Sequence, residues 1–146
     1  MQIREIEAKD LTSISSLYVS VFSNPPWNEY WEYDWAYERL IWIFNSQGFY
    51  GYIAEVDSTI VGAILGHFIP FQGKKGFKIL EFFVASQFRQ KGFGSKLLNT
   101  LEFELKANSY DFITLLTAKS TQAESFYLNR KYQVNEELEL LNKPLL

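Results

Sequence analysis

The sequence predicts a mixed α/β fold, one sheet covered by helices, and three observations carry that prediction. Runs rich in β-branched and aromatic residues recur along the chain, as in Phe77-Lys-Ile-Leu-Glu-Phe-Phe-Val84. Other stretches repeat apolar residues at helical spacing, such as Leu97, Leu98, Leu101 and Leu105, with Lys96, Asn99, Glu102 and Lys106 on the opposite side. The two kinds follow one another in the order β-α-α-β-β-β-α-β-α-β.

In chain order, residues 2–7 alternate around Ile3 and Ile6 and predict a short first strand. Leu11 to Phe22 predicts a helix, with Leu11, Ile14, Leu17, Tyr18 and Val21 on one face and Asp10 placed to cap it. Ser23-Asn-Pro-Pro-Trp27 ends that helix, because proline cannot continue one. A second helix is expected from Tyr33 to Ser46, stopping at Gly48. Tyr50–Val56 and Thr59–Ile69 predict strands joined by a tight Asp57-Ser58 turn, and the polar loop Gln72–Gly76 leads to the strand ending at Val84. Phe112–Thr117 predicts a further strand. Thr121 to Arg130 predicts a helix opened by the capping-box spacing Thr121-x-x-Glu124. Val134–Leu146 is expected to supply a last strand or two.

At 146 residues, with no repeat or linker, the chain is expected to form one domain over 1–146 with a core of its own. A formal charge of −3 argues against a general nucleic-acid binder, which is normally basic. The absence of cysteine removes disulfides, thiolate metal sites and a cysteine nucleophile. No apolar run approaches membrane-spanning length, and the first residues do not resemble a signal peptide, so a cytoplasmic protein without membrane partners is expected.

The segment Arg89-Gln90-Lys91-Gly92-Phe93-Gly94 lies where a strand gives way to a helix. A helix start presents unpaired N–H groups and a positive dipole end, glycine lets the backbone approach a ligand closely, and Arg89 and Lys91 add charge. By itself the pattern fits either a phosphate cradle or an ordinary turn. It lacks the Gly-Lys-Ser/Thr of the Walker pattern and the third glycine of the dinucleotide fingerprint.

Leu80-Glu-Phe-Phe-Val84 followed by Arg89-x-x-Gly92-x-Gly94 and Lys96-Leu-Leu resembles the acetyl-coenzyme A signature of the GNAT N-acetyltransferases. Ala123-Glu-Ser-Phe126-Tyr127-Leu-Asn-Arg-Lys-Tyr132 resembles that family's second segment, and the element order agrees across nearly the whole chain. The resemblance implies a central, mostly antiparallel, splayed sheet flanked by helices, and acetyl-coenzyme A as cosubstrate without a metal. It implies that the backbone of Arg89, Gln90, Lys91, Gly92, Phe93, Gly94 and Ser95 grips the coenzyme A diphosphate. It further implies that Phe82, Phe83 and Val84 bond the pantetheine arm, with the Val84 amide polarising the thioester carbonyl. Ser86 stands where proline is common, Ser120 where an asparagine often touches pantetheine, and Lys131 where glycine is usual.

Glu81 is the candidate base. Strand alternation puts it on a face with Phe77, Ile79 and Phe83, where burial raises a carboxyl pKa and readies it to take a proton from an amine. The competing reading is a structural glutamate paired with a Lys or Arg. Tyr127 is the candidate acid, a phenol that can protonate a departing thiolate; alternatively it is a core tyrosine. His67, the only histidine, shares a strand face with Leu65 and Ile69 and cannot make a metal site alone; it either reaches the acceptor cleft or is structural.

All four tryptophans lie between Trp27 and Trp42, among Tyr30, Tyr33, Tyr37 and Phe44. Trp35 and Trp42 are seven apart and share a helix face with Arg39 between them. In the family this region forms much of the acceptor wall, so Trp27, Trp31, Glu32, Trp35 and His67 are the candidate acceptor-binding residues. Aromatic faces near Glu29, Glu32 and Asp34 suit a cationic amine, while core packing explains some of the same residues. The expected reaction is acetyl transfer from acetyl-coenzyme A to a primary amine of a small molecule, by direct attack in a ternary complex. A protein or peptide N-acetyltransferase and a non-catalytic coenzyme A-binding sensor are the alternatives. A homodimer formed through Trp27–Trp31 is a further arrangement.

Overall fold

The computed structural model describes residues 1–146 and divides by packing into two units, Met1–Leu115 and Leu116–Leu146. The first unit holds β1 (Gln2–Glu5), α1 (Leu11–Phe22), α2 (Tyr33–Phe44), β2 (Tyr50–Val56), β3 (Thr59–Phe71), β4 (Lys74–Val84), α3 (Phe93–Ala107) and β5 (Phe112–Leu115). The strands form one sheet in sequence order, antiparallel throughout except that β5 runs parallel to β4. Mixed α/β layering and a mostly antiparallel sheet are therefore present as expected.

Helices α1 and α2 cover one face. Leu11, Ile14, Tyr18, Ala36, Leu40 and Ile43 pack there with Ile53, Ala63, Leu65 and Phe83. On α3, Leu97, Leu98, Leu101 and Leu105 are all buried, and a Cβ added at Gly62 would touch Leu97, placing α3 on the opposite face. The β2–β3 turn puts Asp57 and Ser58 both at positive φ, the conformation a two-residue hairpin with right-twisted strands requires. Asp10 occupies the N-cap position of α1 but does not cap it with its side chain. Instead its carboxylate accepts two bonds from the Arg4 guanidinium at 2.8 Å and one from the Glu7 N–H at 2.7 Å. Those Arg4 bonds hold the Asp10 carboxyl below its usual range.

One irregularity decides which face of the sheet Glu81 occupies. In the β3–β4 ladder Leu65 opposes Glu81 while Gly66 opposes Ile79, so Leu80 is an extra residue, a β-bulge. Residues opposed across a ladder share a face. Glu81 and Phe83 therefore lie with Leu65 and Ala63 beneath α1 and α2, whereas Ile79 and Phe77 lie with Gly66 and Phe68 on the other face. Simple alternation put Phe77, Ile79, Glu81 and Phe83 together; the bulge separates the first two from the last two.

The second unit contains α4 (Gln122–Leu128). Thr121 caps it by accepting the Glu124 N–H at 3.2 Å, while the Glu124 carboxylate accepts from the Ser120 N–H at 3.1 Å. The strand expected within Val134–Leu146 does not form. That segment carries one β-branched residue and Pro144, and Val134, Leu138, Leu140, Leu141, Leu145 and Leu146 are all exposed, so no buried face fixes it as a strand.

The bulge depends on Gly66, where a Cβ would come within 2.0 Å of the Lys78 carbonyl oxygen. Gly66→Ala is expected to destabilise the protein by about 2 kcal/mol or more, read as a lower urea midpoint, because the strands would have to part. An unchanged midpoint would contradict the close approach.

Candidate functional site

Because the bulge turns Glu81 under the helices, its carboxylate meets partners from both of them. The Tyr18 hydroxyl on α1 donates to Glu81 Oε2 at 2.8 Å, and Arg39 Nε on α2 donates to the same oxygen. Oε1 receives no protein donor and retains solvent contact. Glu81 is 9% exposed and Arg39 is 37% exposed, so the guanidinium stands between a buried anion and the surface. Burial raises the Glu81 pKa, against the opposing pull of Arg39 and Tyr18. Burial pulls the Arg39 pKa down, but the charge and hydrogen bond of Glu81, with Tyr18, together outweigh it and the pKa is raised. Burial, then the Glu81 charge, pushes the Tyr18 phenol up, so Tyr18 stays a donor at ordinary pH.

The carboxylate is thus buried, as strand alternation suggested, and paired with an arginine, as the competing structural reading has it. A buried ionised carboxylate costs several kcal/mol unless it is compensated, and here one formal charge and one hydroxyl compensate it. Tyr18 and Arg39 were not identified as Glu81 partners from the sequence. The available signals were a hydroxyl on the buried stripe of α1, which needs an acceptor, and a cation flanked by tryptophans on α2.

Beside this junction a groove of about 800 Å³ runs along α2, lined in part by Trp31, Trp35, Glu38, Arg39, Trp42 and Asn45. Trp31 stands edge-on to Tyr18 at 4.8 Å between centroids, and Trp42 stands edge-on to His67 at 6.2 Å. His67 sits on the same face as Leu65, and its Nδ1 lies 2.9 Å from the Phe68 carbonyl oxygen. Glu32 does not line the groove; it occupies the N-cap position of α2, and its carboxylate accepts from the Tyr30 hydroxyl at 3.2 Å. Trp27 lies apart from these, packed edge-on to Phe22 at 5.1 Å, with the Arg89 guanidinium 5.0 Å from its ring centroid.

The donor-side candidates gather where β4 ends. Pairing with β5 stops at Ile79–Leu115, so β5 does not run beside Leu80–Val84. Phe83 buries its ring against Tyr18 and Phe22 at 5.4 and 5.7 Å, leaving its backbone to represent it at this edge. In the turn that follows, Gln90 and Gly92 are both left-handed, with φ of 61° and 88°. Gly92 is the N-cap of α3, and no side chain caps that helix. Phe93, Gly94 and Ser95 form its first turn, whose N–H groups precede the intrahelical bond from Lys96 to Gly92. Lys91 lies over the Phe88 ring, and Arg89 Nε donates to the Val84 carbonyl at 3.1 Å. This cradle suits a diphosphate: aligned amides, a left-handed glycine with open space around its α-carbon, and two cations.

In the second unit, Ser120 is left-handed with φ of 59°, and Tyr127 on α4 is buried, its ring 5.5 Å from Phe126 and 5.4 Å from Tyr132. No group of three or more His, Cys, Asp or Glu is arranged to hold a metal ion, and no helix is long and apolar enough to cross a membrane.

Residues 8–132 match the family described as Acetyltransferase (GNAT) family. An uncharacterized N-acetyltransferase of Archaeoglobus fulgidus is 29% identical over 119 residues, covering 74% of this chain and 76% of that protein. An aminoglycoside acetyltransferase from an uncultured soil metagenomic sample, solved in complex with sisomicin, aligns with a TM-score of 0.77 at 18% identity over 99% of this chain and 96% of that one. A ribosomal-protein-alanine N-acetyltransferase from Brucella melitensis biovar Abortus 2308 aligns with a TM-score of 0.74 at 15% identity over 97% and 98%. At these identities the two structures are alike in fold.

Removing Arg39 would leave the Glu81 carboxylate buried with Tyr18 as its one donor. Arg39→Met is expected to cost about 1–3 kcal/mol near neutral pH, less than for a fully buried pair because water can reach Arg39's place. Loss of the cation raises the Glu81 pKa further. The penalty is therefore largest where Glu81 is ionised and shrinks as pH falls and the carboxyl protonates. Adding Glu81→Gln should recover most of it in a double-mutant cycle, measured by urea unfolding at several pH values. Additive effects of the two changes would mean that the pair is not coupled.

Proposed function

The chain belongs to the GNAT acetyltransferase family, and on that footing we propose that it acetylates the primary amine of a small molecule by direct attack, with both substrates bound together. The observation that carries this reading is Glu81, a buried carboxylate with one oxygen held by Arg39 and Tyr18 and the other free, beside an aromatic groove open to solvent. We take residues 1–146 to act as one such domain.

Acetyl-coenzyme A, the cosubstrate the family implies, would supply an activated thioester carbonyl. The amides from Gln90 to Ser95, with Lys91 and Arg89, would hold its diphosphate. The edge of β4 from Phe82 to Val84 is left by β5 and would accept an extended pantetheine arm in the manner of an added strand. An incoming ammonium must lose a proton before its nitrogen can form the amide bond. Glu81 Oε1 would accept that proton directly or through one water, its raised pKa matching the task, while Arg39 and Tyr18 keep the carboxylate in place. Tyr127, assigned by its match to the family's second segment, would return a proton to the departing sulfur; Ser120 is assigned to the pantetheine on the same ground. With no cysteine in the chain, a thioester-linked enzyme intermediate has no nucleophile.

A small-molecule acceptor is preferred because the groove is lined by several indole rings, a surface suited to a compact amine. An amine presented by a peptide is the alternative, and the aminoglycoside and ribosomal-protein enzymes that share the fold act on one class each. A thiol-release assay over a panel of small amines and peptides decides between them; release with peptides alone would overturn the small-molecule reading.

Glu81→Gln is expected to lower kcat about 100-fold while coenzyme A affinity stays within about twofold, and to abolish the acidic limb of the pH–rate profile. That limb should lie above the ordinary carboxylate range, because activity requires the ionised form of a group whose pKa burial raises. Unchanged turnover across the pH range would remove Glu81 from the mechanism. Tyr127→Phe should lower kcat about tenfold or more with KM for acetyl-coenzyme A little changed, and full activity would exclude it as the acid.

A further inference from the structure

The groove along α2 has a chemistry more specific than that of an amine site in general. Trp35 and Trp42 are 46% and 55% exposed, unusual for the side chain with most to gain from burial. They lie two helical turns apart on one stripe, and both line the groove. Its charges are unequal. The Arg39 guanidinium is already bound to Glu81, whereas Glu38, one residue before it, makes no hydrogen bond or ion pair. The uncompensated charge of the groove is therefore negative, set among electron-rich indole faces.

We propose that this groove selects an arylalkylamine-type acceptor, a cation carried on a flat aromatic body, with Trp35 and Trp42 receiving the aromatic part, Glu38 adding negative potential that favours a charged ligand, and the nitrogen itself directed to Glu81 Oε1. The assignment deepens the acetyltransferase reading and rests on it for the claim that the bound cation is the acceptor. Indole faces attract both rings and cations, and a cation–π contact strengthens as water is displaced from it. Glu38 acts as a specificity determinant and not as the base, since Glu81 is the carboxylate joined to the buried junction. An anion would meet Glu38 without a free counter-charge, because Arg39 is already engaged by Glu81.

Intrinsic tryptophan fluorescence, titrated with phenethylamine, phenethyl alcohol and phenylpropionate at saturating coenzyme A, tests the assignment. The amine should bind about tenfold tighter than the neutral alcohol, and the acid no tighter than the alcohol. Glu38→Gln should lower the amine-to-alcohol ratio about threefold or more, the indole faces and Glu81 keeping what preference remains, and Trp42→Ala should weaken the amine about three- to tenfold. Both positions are on the surface, and thermal melting confirms that the variants fold. Equal affinity for amine and alcohol, or a ratio left unchanged by Glu38→Gln, would overturn the proposal. So would a Trp42→Ala variant that turns a dimer into a monomer by light scattering without weakening the amine, since a second copy would then be the occupant.

Thiol release with the same amine separates this proposal from the reading beneath it. Selective binding without release supports the groove's preference and defeats the catalytic reading. Release with polyhydroxylated amines, but none with phenethylamine, overturns the groove proposal while the acetyltransferase stands.

Discussion

A carboxylate buried under two helices must be compensated, and the way Glu81 is compensated organises the α1–α2 side of the sheet. Its Oε2 draws a hydroxyl from α1 and a guanidinium from α2, so one oxygen ties both helices to β4. The tie is possible because the extra residue at Leu80 shifts the alternation of β4 and turns Glu81 to the helix face. Without that shift the carboxylate would point toward the α3 side, away from Tyr18 and Arg39. The same arrangement leaves Oε1 unengaged, which is what separates a structural ion pair from one that can also receive a proton.

Two differently built regions follow from this placement. The α2 groove, proposed to take the acceptor, is made of side chains: the indole rings of Trp31, Trp35 and Trp42, Glu38 without a partner, and Arg39 whose charge is already matched. The region proposed to hold the donor is made mostly of backbone: the edge of β4 beyond its pairing with β5, and the amides of a left-handed turn entering α3. Side-chain surfaces change with single substitutions, whereas backbone cradles constrain conformation more than identity. This fits a fold in which one donor is shared and acceptors differ. Arg89 ties the turn back to its surroundings, bonding the Val84 carbonyl while its guanidinium lies over Trp27.

The departures from the family pattern carry physical consequences. Lys131 has φ of 70°, the left-handed conformation that glycine adopts freely and that costs an L-residue about 1–2 kcal/mol. The chain bears that strain directly after the α4 turn, where the Tyr127 carbonyl accepts the N–H groups of both Arg130 and Tyr132. Ser120 is also left-handed, and its N–H is engaged by Glu124, so its hydroxyl rather than its amide is left for any ligand.

Much was legible in the amino-acid sequence because it depends on short-range physics. Helical spacing placed α1, α2 and α3, Thr121 marked the start of α4, and the Asp57-Ser58 turn set the hairpin, each a matter of a few neighbouring residues. The Arg89–Gly94 turn was legible for the same reason: its glycine and the uncapped helix behind it are local features. What the sequence could not determine is whatever required two distant segments to meet. The face of Glu81 depends on a bulge set by Gly66 on the neighbouring strand, a pairing that strand alternation within β4 cannot reveal. The partners Tyr18 and Arg39 lie 63 and 42 residues away, and no periodicity links them to Glu81. The Leu-rich tail could not be placed either, since apolar residues become a strand only where a sheet edge and a buried face receive them. Local sequence thus determined the elements and the Arg89–Gly94 turn, and tertiary structure alone decided which charges meet, because burial and neutralisation are properties of the packed chain.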